Sequence, residues 1–72
     1  MEIWIKASRR VNKKEAADFL EILRNERFDK TSENTFCLLG VTEDEAKTIF
    51  HKIANQAPAR MIVDYKFFDS MN

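Results

Sequence analysis

The side chains that most often carry enzyme chemistry are scarce in this sequence, which has one histidine and one cysteine in 72 residues. His51 falls on a predicted helix away from its apolar positions, and no orienting group for a general base is evident beside it. Cys37 has no neighbouring cation to lower its pKa, so we interpret it as a small apolar side chain. No spacing of cysteine, histidine or acidic residues matches a zinc or calcium site. We therefore predict that the protein is not an enzyme, with no catalytic, metal-binding or cofactor-binding residues.

A run of basic residues is the strongest chemical feature of the chain. Five cations with no acidic residue among them lie between positions 6 and 14, and they are Lys6, Arg9, Arg10, Lys13 and Lys14. Lys13 and Lys14 fall in the first turn of a predicted helix, where the helix dipole disfavours positive charge. Helix amides and arginine side chains that converge there would suit an anion or a phosphate backbone. The sequence therefore offers, as an alternative function, a nucleic-acid-binding module that uses residues 6–14.

A group of acidic residues is expected to offset this basic run. Glu43, Asp44 and Glu45 begin a second predicted helix. We expect the first and third strands to run parallel, so that both helices begin at the same end of the sheet and the two groups largely neutralise each other. The whole chain is also balanced, with 12 Lys and Arg against 12 Asp and Glu. Nucleic acid is therefore the less favoured partner.

Composition limits the remaining classes of protein. The longest uninterrupted apolar run is residues 36–39, far shorter than the roughly 18 residues that a membrane span needs. No export leader is recognisable at the start of the chain, and one cysteine cannot form an internal disulfide. We expect one cytoplasmic domain over residues 1–72, with no membrane partner.

Two helices are predicted from a start signal that occurs twice. Asn12 and Thr42 are each followed three residues later by a glutamate, Glu15 and Glu45, which is the capping-box pattern. Pro58 requires the second helix to end before it. Apolar residues of helical period follow each start, and they are Ala16, Phe19, Leu20 and Leu23 in the first helix and Ala46, Ile49, Phe50, Ile53, Ala54 and Ala57 in the second.

Strands are predicted at both ends of the chain, where residues 2–8 and 60–69 alternate between two faces. Between the helices, residues 27–31 and 35–39 are predicted as two more strands joined by a polar turn, the first being a charged edge. The order β-α-β-β-α-β is that of the ferredoxin-like α+β sandwich, a four-stranded antiparallel sheet with two helices on one face. If residues 27–31 were a loop, a three-stranded βαβαβ sheet would remain. The covered face is predicted to hold Ile3, Ile5, Val63 and Tyr65.

The open face of this sheet is the first predicted binding surface. RNA-recognition motifs bind bases on the same face, but the third strand here lacks their basic-glycine-aromatic signature. Aromatic and aliphatic side chains beside a few charges are more typical of a protein interface. Alternation assigns to the open face Trp4, Lys6, Thr35, Cys37, Leu39, Ile62, Asp64, Lys66 and Phe68. The predicted protein-contact residues among them are Trp4, Leu39, Ile62, Lys66 and Phe68.

The final strand is the second predicted binding surface, because this topology leaves it at an edge of the sheet. It is rich in β-branched and aromatic residues, and such an edge can accept a strand from another chain. Asp64 and Lys66 would partly discourage that pairing. The favoured function is a small non-enzymatic binding protein, such as an adaptor, a regulator or an inhibitor. Its expected partner is another protein or a second copy of itself in a homodimer.

Overall fold

The computed structural model describes residues 1–69 of the 72-residue chain, and its elements follow the predicted order. The predicted domain of residues 1–72 also includes residues 70–72, which lie outside the described residues. The elements are β1 (Glu2–Ala7), α1 (Lys13–Asn25), β2 (Asp29–Lys30), β3 (Thr35–Leu38), α2 (Glu43–Gln56) and β4 (Ile62–Phe68).

The strands form one four-stranded antiparallel sheet in the order β2-β3-β1-β4. Strand β1 pairs with β3 on one side and with β4 on the other. This arrangement confirms the ferredoxin-like α+β sandwich. The three-stranded alternative does not apply, because Asp29 and Lys30 pair with β3. Strand β2 has only these two exposed residues and is shorter than the predicted strand over residues 27–31.

Both helices begin with the predicted capping boxes. The Glu15 N–H donates to Asn12 Oδ1 over 2.8 Å, and the Glu45 N–H donates to Thr42 Oγ1 over 3.1 Å. The two glutamate carboxylates accept in return from the backbone N–H groups of Asn12 and Thr42. Hydrogen bonds from the Thr42 backbone and then from its side chain stabilise the charged carboxylate and lower the pKa of Glu45. These bonds satisfy orphan amide donors and determine where each helix starts.

Helix α1 ends in a Schellman motif built on an arginine. The Arg27 N–H donates to the Arg24 carbonyl and the Phe28 N–H donates to the Leu23 carbonyl, each over 3.0 Å. Arg27 has a φ of 67°, in the left-handed region that glycine usually occupies at this position. The motif turns the chain so that Phe28 enters the core, where it is 7% exposed.

The core lies between the two helices and one face of the sheet. The rings of Phe19 on α1 and Phe36 on β3 meet edge to face with centroids 6.4 Å apart, a favourable aromatic geometry. The buried residues of this core are Ile3, Ile5, Ala7, Phe19, Leu23, Phe28, Phe36, Ala46, Ile53 and Met61. Because β1, α1 and α2 all contribute, both helices cover the same face, as predicted.

The predicted burial of Val63 and Tyr65 is wrong, since these side chains are 56% and 53% exposed. Tyr65 pairs with Ile5 and therefore shares the helix-covered side of the sheet. However, β4 has a neighbouring strand on one side only. Its side chains therefore lack the cover that a second flanking strand would provide.

Candidate protein-contact surface

Exposed apolar side chains are concentrated on β4. Among residues 1–69 the large hydrophobic side chains that are most exposed are Leu39, Val63, Tyr65 and Phe68, at 47–56%. Three of these four lie on β4, which is the outer strand of the sheet. Scattered surface apolar residues are normal, but here three lie on one edge strand, with Val63 and Tyr65 on its helix-covered side and Phe68 on its open side.

The hydrogen bonds around β1 establish which backbone groups of β4 face outward. Alternate residues of an antiparallel strand direct their N–H and C=O groups to opposite sides. The Ala7 N–H donates over 2.8 Å to the carbonyl of Asn34, on the β3 side. The next N–H, that of Ser8, donates over 2.7 Å to the carbonyl of Met61, on the β4 side. The even-numbered residues of β1 therefore direct their backbone groups to β4.

The same alternation applies to β4. Its residues Asp64 and Lys66 pair with even-numbered residues of β1, so their backbone groups point inward to β1. The N–H and C=O groups of Tyr65 and Phe67 then point to the open edge. In agreement, the Tyr65 N–H donates to Oδ1 of Asp64 over 2.8 Å. The edge is thus a row of backbone groups, one of which is capped by a neighbouring side chain.

An apolar groove runs along the inner side of this edge. It has a volume of about 420 Å³ and lies between α2 and β4. Three aromatic rings meet beside it, because the Phe50 centroid lies 4.4 Å from that of Tyr65 and 5.6 Å from that of Phe67. Next to Phe50, α2 and its C-cap contribute only small side chains to the groove wall, at Ala54 and Ala57. The groove therefore has room for apolar side chains of another strand laid against β4.

The open face of the sheet holds Trp4, whose placement there was predicted. Trp4 pairs with Cys37 on β3 and with Lys66 on β4, and its indole N–H donates to Glu2 Oε1 over 2.9 Å. This bond holds the half-buried indole along β1. Cys37 is only 5% exposed although it is on this face. Burial, followed by the carboxylates of Asp29 and Glu2, raises the pKa of the Cys37 thiol.

Of the other predicted contact residues, Lys66 and Phe68 lie on the open face and are exposed, whereas Ile62 does not lie there. The register shifts by one residue between Lys6 and Ala7, so Ile62 pairs with the buried Ala7 and packs against the core. The predicted placement of Ile62 on the open face is therefore wrong, because a β-bulge reverses the alternation at the start of β4. Leu39 is exposed and follows the last residue of β3.

The five basic residues are all exposed, and they are distributed over a strand, a loop and the start of a helix. Lys6 lies on the open face opposite Asp64, while Arg9 and Arg10 lie in the loop before α1. Lys13 and Lys14 occupy the first turn of that helix. Together with Lys30 and Arg60 these residues surround one end of the sheet, and Arg9 and Lys30 line a cavity of about 310 Å³ there.

The acidic residues that were expected to neutralise this end lie at the opposite one. Strands β1 and β3 are antiparallel, so the chain leaves β3 beside Ile3, at the start of β1. Backbone bonds in both directions between Met1 and Val41, over 2.6 and 3.2 Å, hold the start of α2 at that far end. The predicted parallel arrangement and the neutralisation by Glu43, Asp44 and Glu45 are therefore wrong. The acid that meets the basic loop is Glu33, 3.7 Å from Arg9.

The two residues considered for catalysis, His51 and Cys37, lie on different sides of the sheet. His51 is exposed on α2, whereas Cys37 is buried on the other face of the sheet. Within the described part of the chain, no three His, Cys, Asp or Glu side chains come together in a way that could hold a metal ion. No helix of residues 1–69 is both long and apolar enough to cross a membrane.

The sequence interpretation missed Val63 and Tyr65 as surface residues, because the alternating period assigns both to the covered face, and Phe50 of the second helix is half-buried beside them. The available signal was the topology itself, since an edge strand beside the second helix has one uncovered flank. Comparison of the chain with protein families, with characterised proteins and with solved structures finds no match.

Proposed function

We propose that this chain is a small non-enzymatic protein-binding domain, which acts as an adaptor, a regulator or an inhibitor through the edge of β4. The observation that carries the proposal is the concentration of exposed Val63, Tyr65 and Phe68 on an outer strand. The outward backbone groups of Tyr65 and Phe67 would supply hydrogen bonds to an added strand. Pockets beside the edge would supply selectivity for its side chains.

Both faces of β4 support this mode of binding. On the helix-covered side, an incoming strand would place alternate side chains in the groove beside Phe50 and Tyr65. On the open side it would meet Lys66 and Phe68, with Trp4 one strand further in. Aromatic side chains near the centre of a protein interface commonly carry about 2 kcal/mol or more of binding energy each.

Proline substitutions at two neighbouring positions of β4 test the proposal directly. Proline at 65 removes an N–H that β1 does not use, so Tyr65→Pro should leave the sheet intact and block addition of a strand. Lys66→Pro removes an N–H directed to β1 and should destabilise the fold, which makes it the control for backbone damage. Tyr65→Thr controls for loss of the ring and should retain part of the binding.

The assay is capture of proteins from extracts of the source cells, with far-ultraviolet circular dichroism to verify folding. We expect the wild-type chain and Tyr65→Thr to capture the same partner proteins, and we expect folded Tyr65→Pro to fail to capture them. Equal capture by folded Tyr65→Pro would exclude the edge of β4 as the binding surface.

A second candidate function, contact with a nucleic-acid backbone, gains support from the separation of charges. Arg9, Arg10, Lys13 and Lys14 lie at one end of the sheet, and Glu43–Glu45 do not mask them. We propose this contact as a weaker activity, because the net charge of zero gives little long-range attraction for a polyanion.

A further inference from the structure

We infer that the strand which β4 accepts is β4 of a second copy of this chain, paired antiparallel about a two-fold axis at Tyr65. This inference rests on the proposed function, because it names the occupant of the same edge. In that register Tyr65 faces Tyr65 of the second copy, residue 64 faces residue 66, and residue 63 faces residue 67. The result would be one eight-stranded sheet with all four helices on one side.

Charge selects this register. The two charged residues at the centre of β4 are Asp64 and Lys66, one on each side of Tyr65. Pairing centred on Tyr65 places Asp64 opposite Lys66 of the second copy, and symmetry repeats this pair. The next registers that keep all helices on one side are shifted by two residues, and they would place Asp64 opposite Asp64 or Lys66 opposite Lys66. The charges that discourage other pairings therefore favour this one.

The backbone geometry agrees with the same centre. Tyr65 directs its N–H and C=O outward, so two copies that meet at Tyr65 can exchange a pair of N–H to carbonyl hydrogen bonds. The Tyr65 N–H must first leave Oδ1 of Asp64. That carboxylate would then accept from Lys66 of the second copy, so neither group would lose a partner. In the dimer, the hydrogen bond from the Tyr65 N–H to Asp64 would thus be replaced by one to the second copy.

Apolar cover is also complementary in this arrangement. On the helix-covered side, Val63 would face Phe67 of the second copy, and the two Tyr65 rings would lie side by side. The 56% and 53% exposure of Val63 and Tyr65 would then fall. The small side chains of Ala54 and Ala57 leave the groove wide enough for these rings.

The charges at the two ends of the molecule are also complementary in this dimer. Strand β4 begins at the basic end of the sheet, beside Arg60, and finishes at the acidic end, beside Asp69. Antiparallel pairing therefore brings the basic end of one copy next to the acidic end of the other.

Sedimentation of the full chain and its charge variants tests the inference. Wild type should show a concentration-dependent equilibrium between monomer and dimer. Asp64→Lys and Lys66→Asp each create two like-charged pairs and should weaken the dimer by about tenfold or more. An equimolar mixture of the two variants restores two opposite-charged pairs and should form a heterodimer. The double variant Asp64→Lys/Lys66→Asp should dimerise like wild type.

Disulfide trapping tests the register without altering these charges. In a Cys37→Ser background, Tyr65→Cys places two thiols at the symmetry axis and should give a covalent dimer on oxidation. Val63→Cys is the matched control and should not, because position 63 faces position 67. A monomeric wild type at millimolar concentration, or a variant mixture that stays monomeric, would overturn the inference. If folded Tyr65→Pro nevertheless loses a captured protein, the proposed function stands and only the identity of the partner is wrong.

Discussion

The separation of charge between the two ends of the sheet gives different expectations for two matched substitutions, Glu33→Gln and Glu43→Gln. Each removes one negative charge, so the net charge changes equally. Glu33 lies 3.7 Å from Arg9 in the basic loop, whereas Glu43 begins α2 at the opposite end. If Arg9 contacts a phosphate backbone, only the first substitution should strengthen that contact.

The structure sets the size of both effects. Opposite charges about 4 Å apart in water attract by about 1 kcal/mol, and exposed pairs usually contribute about 0–1 kcal/mol. The side chains of Arg9 and Glu33 are 66% and 78% exposed, so freeing Arg9 should raise affinity by no more than about fivefold. The six residues of β1 separate the ends by about 17 Å at roughly 3.4 Å per residue. Screening at 0.1 M salt acts over about 10 Å, so Glu43→Gln should change affinity by less than about twofold.

Fluorescence anisotropy with labelled single-stranded and duplex probes, measured over a series of salt concentrations, is the assay. Each phosphate contact adds roughly 0.7–0.9 to the slope of log affinity against log salt. Contacts from Arg9, Arg10, Lys13 and Lys14 should therefore give a slope of about 3. Replacing Arg9 and Arg10 by glutamate should abolish binding. The absence of binding at tens of micromolar protein in low salt would reject this second function, and equal effects of Glu33→Gln and Glu43→Gln would refute the electrostatic reasoning.

Three further results are expected. Arg27→Gly should raise the free energy of unfolding by about 1 kcal/mol in chemical denaturation, because glycine accepts the left-handed φ of 67° without a Cβ clash. The Cys37 thiol should react with a disulfide reagent far more slowly in the folded chain than in the unfolded chain, because burial raises its pKa and limits access. Since the folded pKa of Glu45 is lowered, its contribution to stability should be complete above the usual glutamate pKa of about 4.3 and should disappear as pH falls through the folded value; Glu45→Gln should reduce that part of the acid dependence in thermal melts.

The elements that sequence analysis placed well are those determined by neighbouring residues. Both helix starts are correct because a capping box needs only a cap and a glutamate three residues later. The alternating period of residues 2–8 likewise identifies Ile3 and Ile5 as core residues, and both are fully buried. Such features depend on local geometry and not on the path of the chain.

The errors arose where a position depends on the rest of the sheet. Ile62 follows the alternating pattern in the sequence, but the bulge opposite Ala7 is set by how two strands fit together. The direction of β3 is set by the strands before it. Helix α1 connects β1 to the parallel strand β2, and β3 lies between these two strands and pairs antiparallel with both. The expected neutralisation of Arg9 and Arg10 failed for that reason.

The role of the charges on β4 in selecting a partner strand can be assigned only when the outward-facing backbone groups of β4 are known. In the sequence, Asp64 and Lys66 are two polar residues that would discourage pairing at an edge. In the structure they flank Tyr65, the residue whose N–H and C=O face the open side, and Asp64 occupies that N–H. A carboxylate so placed competes with a poorly matched strand, since displacing it leaves a charge without a partner. A strand that presents a lysine opposite Asp64 removes this cost, and β4 itself has that lysine two residues away.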